Sequence, residues 1–167
     1  ATFLVERSAQ LLGGYPPAGG TAAERDPGRF PTVLSGDLDS NDLGESGITG
    51  HFTDIRGDNS FHVVTIDARG GVVALDGLVI SGGLADERSG GRDFGAGIHQ
   101  HAGSSALSRA RLLGHQAYRG GAVFVAAGDL TLIESEVAGN YAAEYGGAAF
   151  AGAGDGQSAA LALEQVT

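Results

Sequence analysis

Short apolar runs alternate with polar and glycine-rich breaks along the whole chain. Leu130/Leu132, Leu161/Leu163 and Val123/Val125 recur with a period of two, as in half-buried strands. Clusters of Gly, Asp, Asn and Ser separate these runs, as turns do. No stretch carries the i, i+3, i+4, i+7 apolar spacing of an amphipathic helix over three turns. The pattern predicts an all-β chain of many short strands.

The strands fall into a repeat. Gly95-Ala96-Gly97-Ile98, Gly120-Gly121-Ala122-Val123 and Gly146-Gly147-Ala148-Ala149 open three similar segments, 25 and 26 residues apart. Within them Leu107 and Leu132 correspond, as do Gly114 and Gly139, and Ala117 and Ala142. An earlier copy supplies Leu75, Gly82 and Ala85, and a last one begins again at Ala160-Leu161-Ala162-Leu163. Self-similarity at this period predicts stacked units, none able to bury its apolar face alone. About 25 residues suit a coil of two or three short strands joined by glycine corners, stacked about 4.8 Å apart. The expected fold is a right-handed parallel β-helix, a solenoid, over residues 1–167 as a single domain. Leu75, Leu107 and Leu132 should point inward in adjacent coils.

Composition agrees with that picture. Thirty glycines, four prolines and 7% aromatic residues describe many corners around a core of small aliphatics. At 42% hydrophobic residues the 167-residue chain is globular, not disordered. No apolar run is long enough to cross a membrane as a helix. All ten basic residues are arginine and the net charge is −10, so there is no basic face for nucleic acid or for an anionic membrane. With no cysteine there is no disulfide framework and no thiolate metal site. Ala1–Val5 and Leu163–Thr167 both read as strand without a cap. This predicts a processed or partial chain whose ends meet further coils of the same protein or a protein partner.

A series of segments runs Leu11-Leu12-Gly13-Gly14-Tyr15, Glu24-Arg25-Asp26-Pro27, Pro31–Asp37, Asp58–Val64 and Leu75–Gly83. With the later repeats it resembles a family of exported bacterial right-handed parallel β-helix proteins. Their glycine-rich repeats are related to those of polymorphic outer-membrane proteins. The resemblance covers residues 11–167. It implies a bacterial extracellular, periplasmic or cell-surface location, and a part in adhesion or in docking on a larger assembly. Gly83 and His115 depart from the family's repeat, standing where Asn140 carries the common asparagine, so a continuous asparagine ladder is not expected. Residues 37–59 and 84–94 read as insertions projecting from the coils, and such insertions often carry the binding face.

Candidate chemistry is sparse. Asp37, Asp39, Asn41 and Asp42 offer alternating oxygen ligands that begin like a calcium loop. The sixth position is Asp42 rather than Gly and the twelfth is Ile48 rather than Glu, so this is no EF-hand. The two readings are an unconventional calcium site or an acidic turn with Asx caps. Parallel β-helices also host polysaccharide lyases and glycosidases, which need paired carboxylates or a basic residue beside bound calcium. The best cluster here is His99 and His101 with Arg109 and Arg111, each pair on one side of a strand by alternation, as candidate ligand-binding residues. Glu134 and Glu136 fall one repeat after the arginines and would form a charge ladder with them. His62 reads as a packed strand residue, and His51 lies in the first insertion. There is no G-x-S-x-G elbow, P-loop or dinucleotide fingerprint in a fitting context. Three readings stay open: a non-catalytic surface or structural module, a fragment of a carbohydrate-active enzyme, and a calcium-stabilised carbohydrate-binding module.

Overall fold

A computed structural model describes residues 2–87, 92–153 and 157–167. The fold is all-β. Its only helical turns among these residues are two 3-10 segments, Ala22–Glu24 and Phe52–Asp54.

The chain makes five successive passes. The first comprises β1 (Phe3–Val5), β2 (Ala9–Leu12) and β3 (Thr32–Ser35). The second comprises β4 (Val64–Asp76), β5 (Leu78–Ser81) and β6 (Leu84–Ala85). The third comprises β7 (Ile98–Ser108), β8 (Arg111–Leu113) and β9 (Gln116–Arg119). The fourth comprises β10 (Val123–Val125), β11 (Gly128–Ile133), β12 (Glu136–Ala138) and β13 (Tyr141–Tyr145). β14 (Ala149–Ala151) and β15 (Ala159–Glu164) belong to the fifth. Equivalent strands of neighbouring passes pair in parallel, giving three sheets. The first contains β1, β2, β4, β7, β10, β11, β14 and β15; the second runs β3-β5-β8-β12; the third runs β6-β9-β13.

Register explains the core. Leu11, Leu75, Leu107, Leu132 and Leu163 form one column across the first sheet. Leu75, Leu107 and Leu132 are buried, as the shared repeat position predicts. A second column stacks Leu34, Ile80, Leu112 and Val137 on the second sheet, and both columns, except the exposed Leu163, pack into one apolar cluster. In the third sheet Ala85, Ala117 and Ala142 stack in register. Fully burying a leucine side chain contributes roughly 1.5–3 kcal/mol, so these columns supply much of the favourable free energy.

The corners between passes are backbone-determined. Gly95, Gly120 and Gly146, the repeat-opening glycines, have φ of 59°, 61° and 62°, a region in which a side chain costs free energy. At the turn from the first sheet to the second the left-handed position is held by Gly77, Arg109, Glu134 and Gln165, with φ of 70°, 50°, 48° and 52°. Arg109 is therefore a corner residue and not the strand-mate of Arg111 that alternation suggests. β8 begins only at Arg111.

The segments between strands lie against the passes. The backbone of residues 49–52 crosses the corner line formed by Gly82, Gly114 and Gly139. Phe52 N–H donates to Gly139 O at 2.8 Å, and a Cβ on Gly114 would collide with Thr49 O. The segment 37–59, expected to project, is thus docked at its centre across three passes. Only glycine corners leave room for a strap this close. The second excursion starts later than the sequence suggests: Leu84–Ala85 is strand, paired with β9. Phe94 bridges to Arg119, and residues 88–91 of that excursion lie outside the described residues. Residues 13–31 fold back as well, and Arg25 reaches Gly13 O at 2.8 Å and Asp76 at 2.9 Å.

Candidate functional site

The glycine doublets are flanked by planar side chains. Each corner reads planar residue, four small or aliphatic residues, planar residue: Phe94–His99, Arg119–Phe124 and Tyr145–Phe150. Parallel pairing sets Phe94, Arg119 and Tyr145 in one column and His99, Phe124 and Phe150 in another. The Arg119 guanidinium lies 5.5 Å from the Phe94 ring centroid and 5.6 Å from that of Tyr145. Its Nε donates to Glu144 at 2.7 Å. Across the corner, Phe94 stacks on Phe124 at 4.6 Å and Tyr145 on Phe150 at 6.0 Å. Phe124 and Phe150 stack at 5.8 Å. Tyr141 continues the strip along β13 and stacks on Phe52 of the strap at 4.8 Å. Counting Tyr118 under Arg119, seven of the chain's eleven aromatic residues (four Tyr, seven Phe) gather on this side. Tyr145 is 57% exposed and Tyr141 41%, so the strip meets solvent at its β13 end.

Histidines close the other end. The rings of His99 and His101 stack at 4.1 Å, and His62 meets His99 edge-on at 4.6 Å. A register shift between Gln100 and Ala102 lies at His101. Burial above all, then the neighbouring His62 and His101, pushes the His99 pKa down from 6.5 to about 3. The two histidines singled out in the sequence are thus brought together, with His62 added.

The arginines belong to a different part of the molecule. Arg109 donates to both carboxylate oxygens of Asp76, at 2.9 and 2.6 Å, rather than to Glu134. Arg111 donates to Glu136 at 2.6 Å. The expected charge ladder forms at one rung, and Arg119–Glu144 adds another with the same 25-residue spacing. Asp76, between Arg109 and Arg25, opposes ionisation through its burial. The hydrogen bonds of Arg109 and then Arg25 outweigh that and hold its carboxyl below the ordinary value. Arg109, Arg111, Glu134 and Glu136 line a groove of about 530 Å³ over Leu78 and Val79.

The four acidic-turn candidates have local work. Asp37 accepts from the backbone N–H of Asn41 and of Asp42, at 3.2 and 3.1 Å. Asp42 accepts from Thr49 Oγ1 at 2.7 Å, Asn59 Nδ2 at 2.9 Å and Arg56 N at 2.6 Å. Asp39 accepts from Asp58 N at 3.1 Å. These are the caps of a folded turn. Among the described residues no three His, Cys, Asp or Glu side chains form a group that could hold a metal ion. The carboxylates of Asp37, Asp39 and Asp42 thus each accept hydrogen bonds from within the segment 37–59.

His115 supplies what the missing asparagine would. Asn140 accepts from His115 N–H at 2.9 Å through Oδ1 and donates to Leu112 O at 2.9 Å through Nδ2. One pass earlier, His115 Nδ1 accepts from Gly83 N–H at 3.0 Å and Nε2 donates to Ile80 O at 3.0 Å. Each side chain ties the N–H of the corner residue below it and the carbonyl three residues before that. Imidazole therefore continues the ladder, and burial pushes its pKa down from 6.5 to about 3, partly opposed by the Ile80 bond.

The sequence reading missed the planar pairs, although their spacing around each glycine doublet was visible. It also missed Arg119 with Glu144. No helix among the described residues is long and apolar enough to cross a membrane. Comparison of the chain with protein-family models, curated proteins and solved structures gives no match.

Proposed function

We propose that this chain is a right-handed parallel β-helix from an exported bacterial protein, working as a non-catalytic docking module at the cell surface. The five in-register passes and the motif series of residues 11–167 support the fold and family. Exposed Leu4 and Leu163, which sit in strand register on the outermost passes, suit pairing with further coils or a partner strand.

The observation that carries the docking role is the planar strip. Aromatic and arginine side chains are those enriched where macromolecules recognise one another, and here seven of the eleven aromatic residues gather around Arg119. The strip ends in two exposed tyrosines, apolar in body and polar at the tip. Away from the strip, Arg111 is paired with Glu136, and Arg109 and Arg25 with Asp76.

The test is co-sedimentation of the chain with bacterial envelopes and with insoluble polysaccharides, with assays for reducing ends and unsaturated sugar products on the same samples. Retention that falls in Tyr145→Ala without any product is expected. Release of sugar products would establish the enzymatic reading instead. Equal retention of the variant would move docking away from the strip.

A further inference from the structure

Near its end the strap carries Arg56-Gly57-Asp58, three consecutive exposed residues. They form a loop between the 3-10 turn Phe52–Asp54 and Asn59, which bridges antiparallel to Asp37. The acidic turn holds this loop from both sides. Arg56 N–H donates to Asp42 Oδ1 at 2.6 Å, and Asp58 N–H donates to Asp39 Oδ2 at 3.1 Å. Asp58 O accepts from Leu38 N–H at 3.1 Å, and Asn59 Nδ2 ties the loop to Gly82 O at 2.6 Å. Gly57 has φ of 62°, and a Cβ there would press on the side chains of Asn41 and Asp39. The two charged ends stay available. Arg56 is braced through Nη1, on Thr53 O at 2.7 Å and Ile55 O at 2.6 Å, while Nε and Nη2 make no bond among the described residues. Among the same residues the Asp58 carboxylate has no hydrogen-bond or ion-pair partner.

We propose that this loop is a recognition element for a receptor that supplies a carboxylate pocket for Arg56 and a receptor-bound divalent cation for Asp58. Animal cell-adhesion receptors read Arg-Gly-Asp by this chemistry, and the partner is a receptor of that kind. The free Nε and Nη2 of a guanidinium form a planar fork that a carboxylate fits with two parallel bonds. A free carboxylate is the hard oxygen ligand that Mg²⁺ or Mn²⁺ takes in place of a water. What fixes the two charged groups relative to each other is the cradle of Asp39, Asn41 and Asp42 around Gly57. Ordering the loop before it binds removes part of the entropy cost that a flexible tripeptide meets on association. The carboxylates of the acidic turn thereby act as the scaffold of the loop. This site does not depend on the planar strip.

Attachment of animal fibroblasts to surfaces coated with the full chain is the test. The expected attachment requires Mg²⁺ or Mn²⁺, and soluble Gly-Arg-Gly-Asp-Ser-Pro blocks it while Gly-Arg-Gly-Glu-Ser-Pro does not. Asp58→Glu keeps the charge and alters a side chain with no internal bond, so its thermal melt should match wild type. It should weaken attachment about tenfold or more, because Mg²⁺ accepts ligand oxygens only near ideal geometry. Arg69→Ala, at an exposed side chain outside the loop, should attach as wild type does. The proposal is overturned by absence of attachment, by attachment that survives chelation with EDTA, by equal attachment of wild type and Asp58→Glu, or by an equal loss in Arg69→Ala.

Discussion

Replacing His115 probes the corner ladder. Its side chain is fully buried, and its two nitrogens satisfy Gly83 N–H and Ile80 O, both also buried. His115→Ala strands both groups at roughly 1–3 kcal/mol each and leaves a void. A loss of about 4 kcal/mol follows, or roughly 8–16 °C in Tm for a domain of this size. His115→Asn can make the bonds that Asn140 makes one pass later, so it should lose only about 1 kcal/mol. Acid separates the variants further. Folding lowers the pKa of His115 and His99 from 6.5 to about 3, so between these values the unfolded chain binds protons that the folded chain refuses. Their contribution is present above pH 6.5 and is lost as pH falls towards 3. Each group supplies up to ~1.4 kcal/mol per pH unit within that window. Urea unfolding from pH 7 to pH 4 measures it. His115→Asn should flatten the pH slope by up to ~1.4 kcal/mol per unit relative to wild type. Equal slopes, or an Asn variant as unstable as the Ala variant, would refute the equivalence of imidazole and carboxamide.

Two further substitutions test other joints. Asp76→Asn removes the carboxylate that holds Arg25 and Arg109. Arg25 is largely buried and Arg109 half exposed, so the expected loss is about 1.5–3 kcal/mol, chiefly from Arg25, by denaturant unfolding. Because the Asp76 pKa is lowered from 3.8, this contribution is complete above that value and disappears as pH falls through the folded one, so the variant's acid limb should be shallower there. Gly121→Ala would drive a Cβ into Gly147 O and Tyr141 O and should cost about 1–3 kcal/mol or more, whereas Gly50→Ala enters open space and should leave Tm unchanged.

The periodic part of this fold is legible in the sequence because each pass repeats the same local demands. Glycine doublets mark corners that need positive φ, and leucines at a fixed offset mark the inward column. Corner residues broke the reading where a non-glycine accepts a left-handed backbone: nothing local announces Arg109 or Glu134 as a corner. The strap was illegible for a different reason. Its docking depends on three glycines from three passes lining up under residues 49–52, a tertiary fact. His115 likewise looks like a break in the ladder until the imidazole is seen to span the same two backbone groups as an amide. At the candidate site, His99 and His101 were found by alternation. Phe94, Arg119, Tyr145, Phe124 and Phe150 were overlooked because their types differ from pass to pass while their planarity does not.

Register between passes underlies every column described, and the absence of native cysteine allows it to be measured cleanly. Ala106 and Thr131 are direct parallel partners, both partly exposed. Neighbouring strands lie about 4.8 Å apart, within the Cα separation a disulfide spans. The paired variant Ala106→Cys with Thr131→Cys should close an intramolecular disulfide on mild oxidation while keeping the native melt. The slipped pair, Ala106→Cys with Asp129→Cys, should stay reduced under the same conditions. Closure of the slipped pair in preference to the registered one would contradict the stacking from which the fold and the site are built.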